Sequence, residues 1–170
     1  MIVDGIVVSP GGPSALTDLV ARSDYLFVGR VAATPSKSTH YETGLQDWTV
    51  RLEIKEVVAR RPATPELGVG KTVKVVAETL DGREHPNIDY AGAVAVMSSD
   101  ELPNEGDIVV AFAASDPTIS EGSLRLWGHA VIPNSGGPLT MHGFGLRGYP
   151  AVQREAVTTA LVPEFASPKK

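Results

Sequence analysis

The stretch from Ile132 to Gly143, IPNSGGPLTMHG, holds the residue type and setting that most suggest a nucleophile, Ser135 among glycines. A serine hydroxyl attacks when a histidine held by a carboxylate takes its proton and backbone N–H groups await the oxyanion. His40 in KSTHYE and His85 in GREHPN are the available bases, both in polar segments. The carboxylates Asp89, Asp100, Asp107 and Asp116 are not distinguished by spacing, and position 133 is Pro, with no N–H to give.

The run N-S-G-G-P-L resembles the nucleophile loop of trypsin-like serine proteases, with Ser135 in the nucleophile position. The T-A-A-H form of their histidine segment is missing, and 170 residues are few for two packed barrels. A glycine-rich turn accounts for the stretch, as it does for the similar SPGGPS at Ser9 to Ser14. Gly70-Lys71-Thr72 ends like a phosphate-binding loop, but position 65 is Pro where the first Gly belongs, and β-branched residues follow in place of a helix. That stretch is the entrance to a strand. His129 and His142 would share a metal if their strands pair, though neither has a ligand at short spacing. No cofactor is implied, and the chain is expected to be no enzyme.

Recognition offers more. Arg125 and Trp127 alternate with Leu124 and Leu126, which places them, with His129, on the second face of a strand; Trp and Arg dominate protein interfaces. Two long polar segments, Pro35 to Asp47 and Leu80 to Gly92, each hold a Tyr and a His: Tyr41 with His40, and Tyr90 with His85. Trp48 stands next to the first. His40, Tyr41, Trp48, His85, Tyr90, Arg125 and Trp127 are the expected binding set.

Bulk properties narrow the partner. Fifteen Lys and Arg against twenty Asp and Glu give a formal charge of −5, with no basic stripe to meet a phosphate backbone, so nucleic acid is not expected. No apolar run reaches the ~20 residues that span a bilayer, and MIVDGIVVSP lacks the form of a signal peptide. There is no cysteine, hence no disulfide or thiol chemistry. A protein partner or self-association remains.

The elements that must position these residues are mainly strands. SALTDLVARSD is a short helix with Ser14 as its N-cap. YLFVGRVAAT is apolar on both faces, a central strand with a bulge or close approach at Gly29. In DWTVRLEIKEVVA, Trp48, Val50, Leu52 and Ile54 alternate with Thr49, Arg51, Glu53 and Lys55, one face in the core and one wet. Further strands are expected at Lys71 to Glu78, Ala93 to Ser99, Asp107 to Ser115 and Ser123 to Ile132. A last helix lies within YPAVQREAVTTALVPEF, followed by a loose tail over 163–170. Such spacing predicts a mainly β domain over 14–162, a small closed or partly open barrel with one helix near each end. Residues 1–13 make an N-terminal strand and a Gly/Pro hinge, from which strand exchange between copies would follow.

In ALTDLVARSDYLFVGRV, WTVRLEIKEVVA, GVGKTVKVV and NEGDIVVAFA, the order of pieces resembles the OB-like barrel of bacterial exported domains related to the tissue inhibitors of metalloproteinases. The resemblance implies an OB-like fold, an exported or cell-surface setting and binding through loops. The inhibitors reach the protease zinc through an N-terminal Cys, which this chain lacks, so inhibition is not implied.

Overall fold

The computed structural model describes residues 2–3, 6–7, 15–40, 45–80, 97–143, 146 and 149–169. Helix α1 (Ala15–Arg22) buries Ala15, Leu19 and Val20 along one side and turns Asp18 outward. Strands β3 (Tyr25–Val31), β4 (Ser36–His40), β5 (Leu45–Arg60) and β6 (Thr72–Leu80) follow. They are succeeded by β7 (Ile108–Ser115), β8 (Ser123–Val131), β9 (His142–Gly143) and a short helix α2 (Arg154–Thr158). The N-terminal segment forms two strands, β1 (Ile2–Val3) and β2 (Ile6–Val7), which pair with each other outside the main sheet.

The seven-stranded sheet closes on itself through five of its members, in the order β3-β5-β6-β8-β7 and back to β3. The chain is therefore mainly β and barrel-like. Strand β5 makes closure possible because its 16 residues serve two neighbours: the first half pairs with β6 and the second with β3. Every pairing in the ring is antiparallel except β6 with β8, which run parallel from Lys74 opposite Ser123 to Ala77 opposite Leu126. Among the described residues, no helix is long and apolar enough to cross a membrane.

Alternation along these strands divides the apolar residues between two cores. Inside the ring, Phe27, Val50, Leu52, Ile54, Val75 and Leu126 meet. Outside it, Leu26, Val28, Val110 and Phe112 lie under α1, Leu139, Met141, Val157 and Phe165. Strands β3 and β7 are apolar on both faces because each separates the two cores. Gly29 sits at a register shift against β5, where an added Cβ would lie 3.2 Å from the Glu53 carbonyl oxygen.

Several expectations change. The segment from Pro35 to Asp47 is not one long loop: β4 pairs with the start of β5, with His40 opposite Gln46. Residues 163–169 are not loose, since Phe165 is 1% exposed and Lys169 pairs with Asp24. The last helix is confined to Arg154–Thr158, and Val162–Phe165 forms a 3-10 turn. Residues 93–96 of the strand expected at 93–99 lie outside the described residues, and Ser99 belongs to a 3-10 turn over Ser99–Glu101. Ser14 and most of the 80–92 segment also lie outside them.

Gly143 is the tightest point of the sheet. Its φ is +135°, and a Cβ there would stand 2.5 Å from the Trp127 carbonyl oxygen. Gly143→Ala is predicted to lower stability by roughly 2–4 kcal/mol, combining backbone strain with a clash against backbone. Gly122→Ala, at a φ of +81° but with nothing within 4 Å, bears only the turn penalty of about 1 kcal/mol. Urea midpoints of the two variants measure the difference.

Candidate functional site

Arg125 projects from the outer wall of the ring, opposite Val76 across the parallel pair. The guanidinium is nearly buried, with Nη1 donating to Asp47 Oδ1 at 3.1 Å and Nε to Asp116 Oδ2 at 3.2 Å. Asp47 lies on β5 directly opposite Glu78 of β6, so two like charges face each other across a ladder that the cation bridges. Burial works against the charge on Arg125, yet Asp47, Asp116 and Glu78 outweigh it and raise its pKa. For Asp116, burial acts to raise the pKa, but hydrogen bonds from Thr118 and Arg125 prevail and hold the carboxyl below the usual range.

This cluster fixes the 116–122 loop. Asp116 Oδ1 accepts from both the Thr118 N–H (2.9 Å) and the Thr118 hydroxyl (2.6 Å), closing a local turn. Beside it opens a cleft of about 720 Å³ between α1, the loop and β8, lined by Asp18, Arg22, Asp116, Arg125, Trp127 and Lys169. Trp127 is half-buried against the outer core, and the Arg22 guanidinium lies over its ring, 4.6 Å from the centroid. On the far side of the loop, a second groove of about 670 Å³ runs over β5 and β6. Its floor carries Arg51 opposite Lys74, two exposed cations side by side.

Strand β8 does not keep the alternation expected of it. A register shift against β7 between Phe112 and Ala113 leaves Trp127 as the extra residue. Arg125 and Trp127 still share the outer wall, but beyond the bulge His129 falls opposite Ala111 and is fully buried, not beside them. His129 pairs in register with His142 of β9, their ring centres 5.4 Å apart. Nε2 of His129 stands 3.2 Å from the Glu101 carbonyl oxygen, and burial, aided by the neighbouring His142, pushes its pKa down to about 3.

The other expected residues are dispersed. Trp48 turns toward the ring interior at its rim, half-buried, and donates from Nε1 to Thr79 Oγ1 at 3.0 Å. Tyr41, His85 and Tyr90 lie outside the described residues, as does the side chain of His40. Ser135 is exposed on a turn closed by Gly136 N donating to the Pro133 carbonyl, and its hydroxyl contacts the Gly136 carbonyl at 3.4 Å. That turn leads Leu139 and Met141 into the outer core. Among the described residues, no group of three or more His, Cys, Asp or Glu is placed to hold a metal. Arg22 and Lys169 of the cleft, and Asp47 behind Arg125, were not singled out from sequence, and Asp116 stood there only among four undistinguished carboxylates. Asp116-Pro117-Thr118 does carry a turn signal, but the pairing of Asp47 with Arg125 spans 78 positions and leaves no local trace.

Compared with known proteins, the chain matches no family model, no curated protein and no solved structure.

Asp47→Asn removes the charge facing Arg125 in a nearly buried pair and is predicted to cost about 3 kcal/mol, read from thermal or urea unfolding. Because the folded-state pKa of Asp116 is lowered, its stabilisation is complete above the ordinary carboxyl range and is lost as the pH falls through that range, below about pH 4. Asp116→Asn should therefore be less stable than the parent at pH 7 and show a shallower loss of stability in acid, measured by melting midpoints across pH.

Proposed function

We propose that the chain is a non-catalytic protein-binding module built on an OB-type barrel, with the outer wall around Trp127 as its binding surface. The ring order supports the fold assignment: counted along the ring's own strands it reads first, second, third, fifth, fourth, with the third and fifth parallel. It agrees with the resemblance to the exported domains related to metalloproteinase inhibitors. Barrels of the OB type bind on the second- and third-strand face, between the first and last interstrand loops. Here those are β5 and β6, with β4 within the first loop and residues 116–122 as the last.

The observation that carries the reading is Trp127, stacked under Arg22 beside Arg125, at an open cleft next to a loop already held in one conformation. An aromatic ring and guanidinium groups on a pre-organised surface are the features that concentrate binding energy at protein interfaces. The exposed Arg51 and Lys74 extend the same wall.

A partner captured by the full chain should be lost, by tenfold or more in affinity, from Trp127→Ala and from Arg22→Glu, provided both variants melt cooperatively. Capture undiminished in both would reject this wall as the binding surface. A second reading, self-association through the N-terminus, is favoured by the separate pairing of β1 with β2 outside the main sheet. Light scattering of the full chain and of a chain lacking residues 1–12 decides it: a multimer abolished by the deletion supports exchange, and two monomers rule it out.

A further inference from the structure

The groove over β5 and β6 has a floor at odds with its own sheet. Arg51 and Lys74 stand directly opposite each other in the β5–β6 ladder, both exposed. Like charges so placed destabilise a sheet. The acids on the same face of β5 are already engaged, Asp47 with Arg125 and Glu53 with Lys55. Neither Arg51 nor Lys74 makes an ion pair with a described residue. In a chain of formal charge −5, two cations set side by side without a counter-charge are the complement of a negatively charged partner.

The surroundings narrow that partner. Arg51, Lys74 and Ser123 form one rung across three strands, and Ser36, Thr49 and Val76 form the next on the same face. The loop wall adds Ser120 and Glu121, and Glu121 pairs with neither cation. Hydroxyl groups both donate and accept, which suits a peptide backbone carrying N–H and C=O together. A carboxylate only accepts, so Glu121 fits a chain with N–H groups to give and repels one that carries phosphate or sulfate throughout. Among the described residues no aromatic ring lines the groove, and nucleobases would find no face to stack on. Its volume, about 670 Å³, lies within the range of ligand sites.

We infer that this groove receives an extended acidic segment of the protein partner, one carboxylate of which is gripped by the Arg51 fork and the Lys74 ammonium. The inference rests on the protein-binding reading and adds the chemistry of the partner to it. The like-charge pair is then a cost to the free chain that binding removes.

The test is an NMR titration of the isotope-labelled full chain with a capped octapeptide alternating Glu and Gly. Its Gln counterpart and an oligogalacturonate, which has carboxylates but no peptide N–H, are titrated in parallel. The expected result is saturable shifts of the Thr49, Arg51, Lys74 and Ser123 amides with the Glu peptide, and binding about tenfold weaker in Arg51→Ser and in Lys74→Glu. Lys74→Glu should also raise the melting midpoint by about 1–4 °C, because it sets opposite charges across the ladder. The inference is overturned if those amides do not move, if the Gln peptide or the oligogalacturonate binds as tightly, if either variant binds like the parent, or if the midpoint fails to rise. Shifts confined to the amides around Trp127 overturn it as well, yet they leave the protein-binding reading standing, which the capture test with Trp127→Ala judges separately.

Discussion

A single buried cation joins the parts of this fold that the strand ladders leave separate. Arg61, just past the end of β5 and 6% exposed, donates from Nε to the Ser23 carbonyl at 2.6 Å and from Nη2 to the Val20 carbonyl at 2.7 Å. These are carbonyls at the end of α1, where a helix gathers partial negative charge, and the Val20 carbonyl also accepts the Ser23 N–H at 3.1 Å. Nη1 reaches the Ser167 and Glu164 carbonyls at 3.0 and 3.3 Å, and the guanidinium lies 5.0 Å from the Phe165 ring centre. Helix α1, the ring and the C-terminal segment are thereby fastened at one point. The chain turns sharply there, with Ala63 in the left-handed region at a φ of +66° and the Thr64 hydroxyl donating to the Arg61 carbonyl.

The outer wall inherits its shape from that fastening. Asp24, next to the helix end, accepts the Arg61 N–H at its carbonyl, receives the Ser115 N–H at its carboxylate and pairs with Lys169. Ser115 is the last residue of β7, and the next residue is Asp116, the start of the loop that Arg125 grips. Arg22 ends α1 and covers Trp127. The cleft is therefore bounded by three segments, the helix, the loop and the C-terminus, each tied through Arg61 or Asp24. A binding surface assembled this way is presented already formed, which reduces the ordering a partner must impose.

How much of this was legible in sequence follows the range of the interactions. The alternation from Trp48 to Lys55 showed the faces of β5, since Val50, Leu52 and Ile54 are buried and Arg51 and Lys55 exposed. The apolar runs of β3 and β7 marked strands covered on both sides, and Gly29 marked a close approach. Arg125 and Trp127 were recognised as facing away from Leu124 and Leu126, but the extra residue at Trp127 reverses the face of His129, and nothing local announces a bulge. Arg61 reads as half of a basic dipeptide before a proline, yet its partners lie 38 to 106 positions away. The 163–169 segment reads as a tail because what docks it, the Phe165 and Lys169 side chains and the Glu164 and Ser167 carbonyls, meets residues far earlier in the chain.

Hydrogen exchange of the Arg61→Met variant tests most directly whether this cation fastens the outer wall. Methionine keeps apolar volume but takes the guanidinium donor from the Val20, Ser23, Glu164 and Ser167 carbonyls, of which the buried Ser23 acceptor costs about 1–3 kcal/mol, while the Val20 carbonyl keeps the Ser23 N–H. The account predicts that amides of α1 and of the 156–166 segment exchange at least tenfold faster than in the parent, while the amides of Val50, Leu52 and Val75 in the β5–β6 ladder stay protected. Unchanged protection of α1 and the C-terminal segment, or an equal loss throughout the ring, would contradict it.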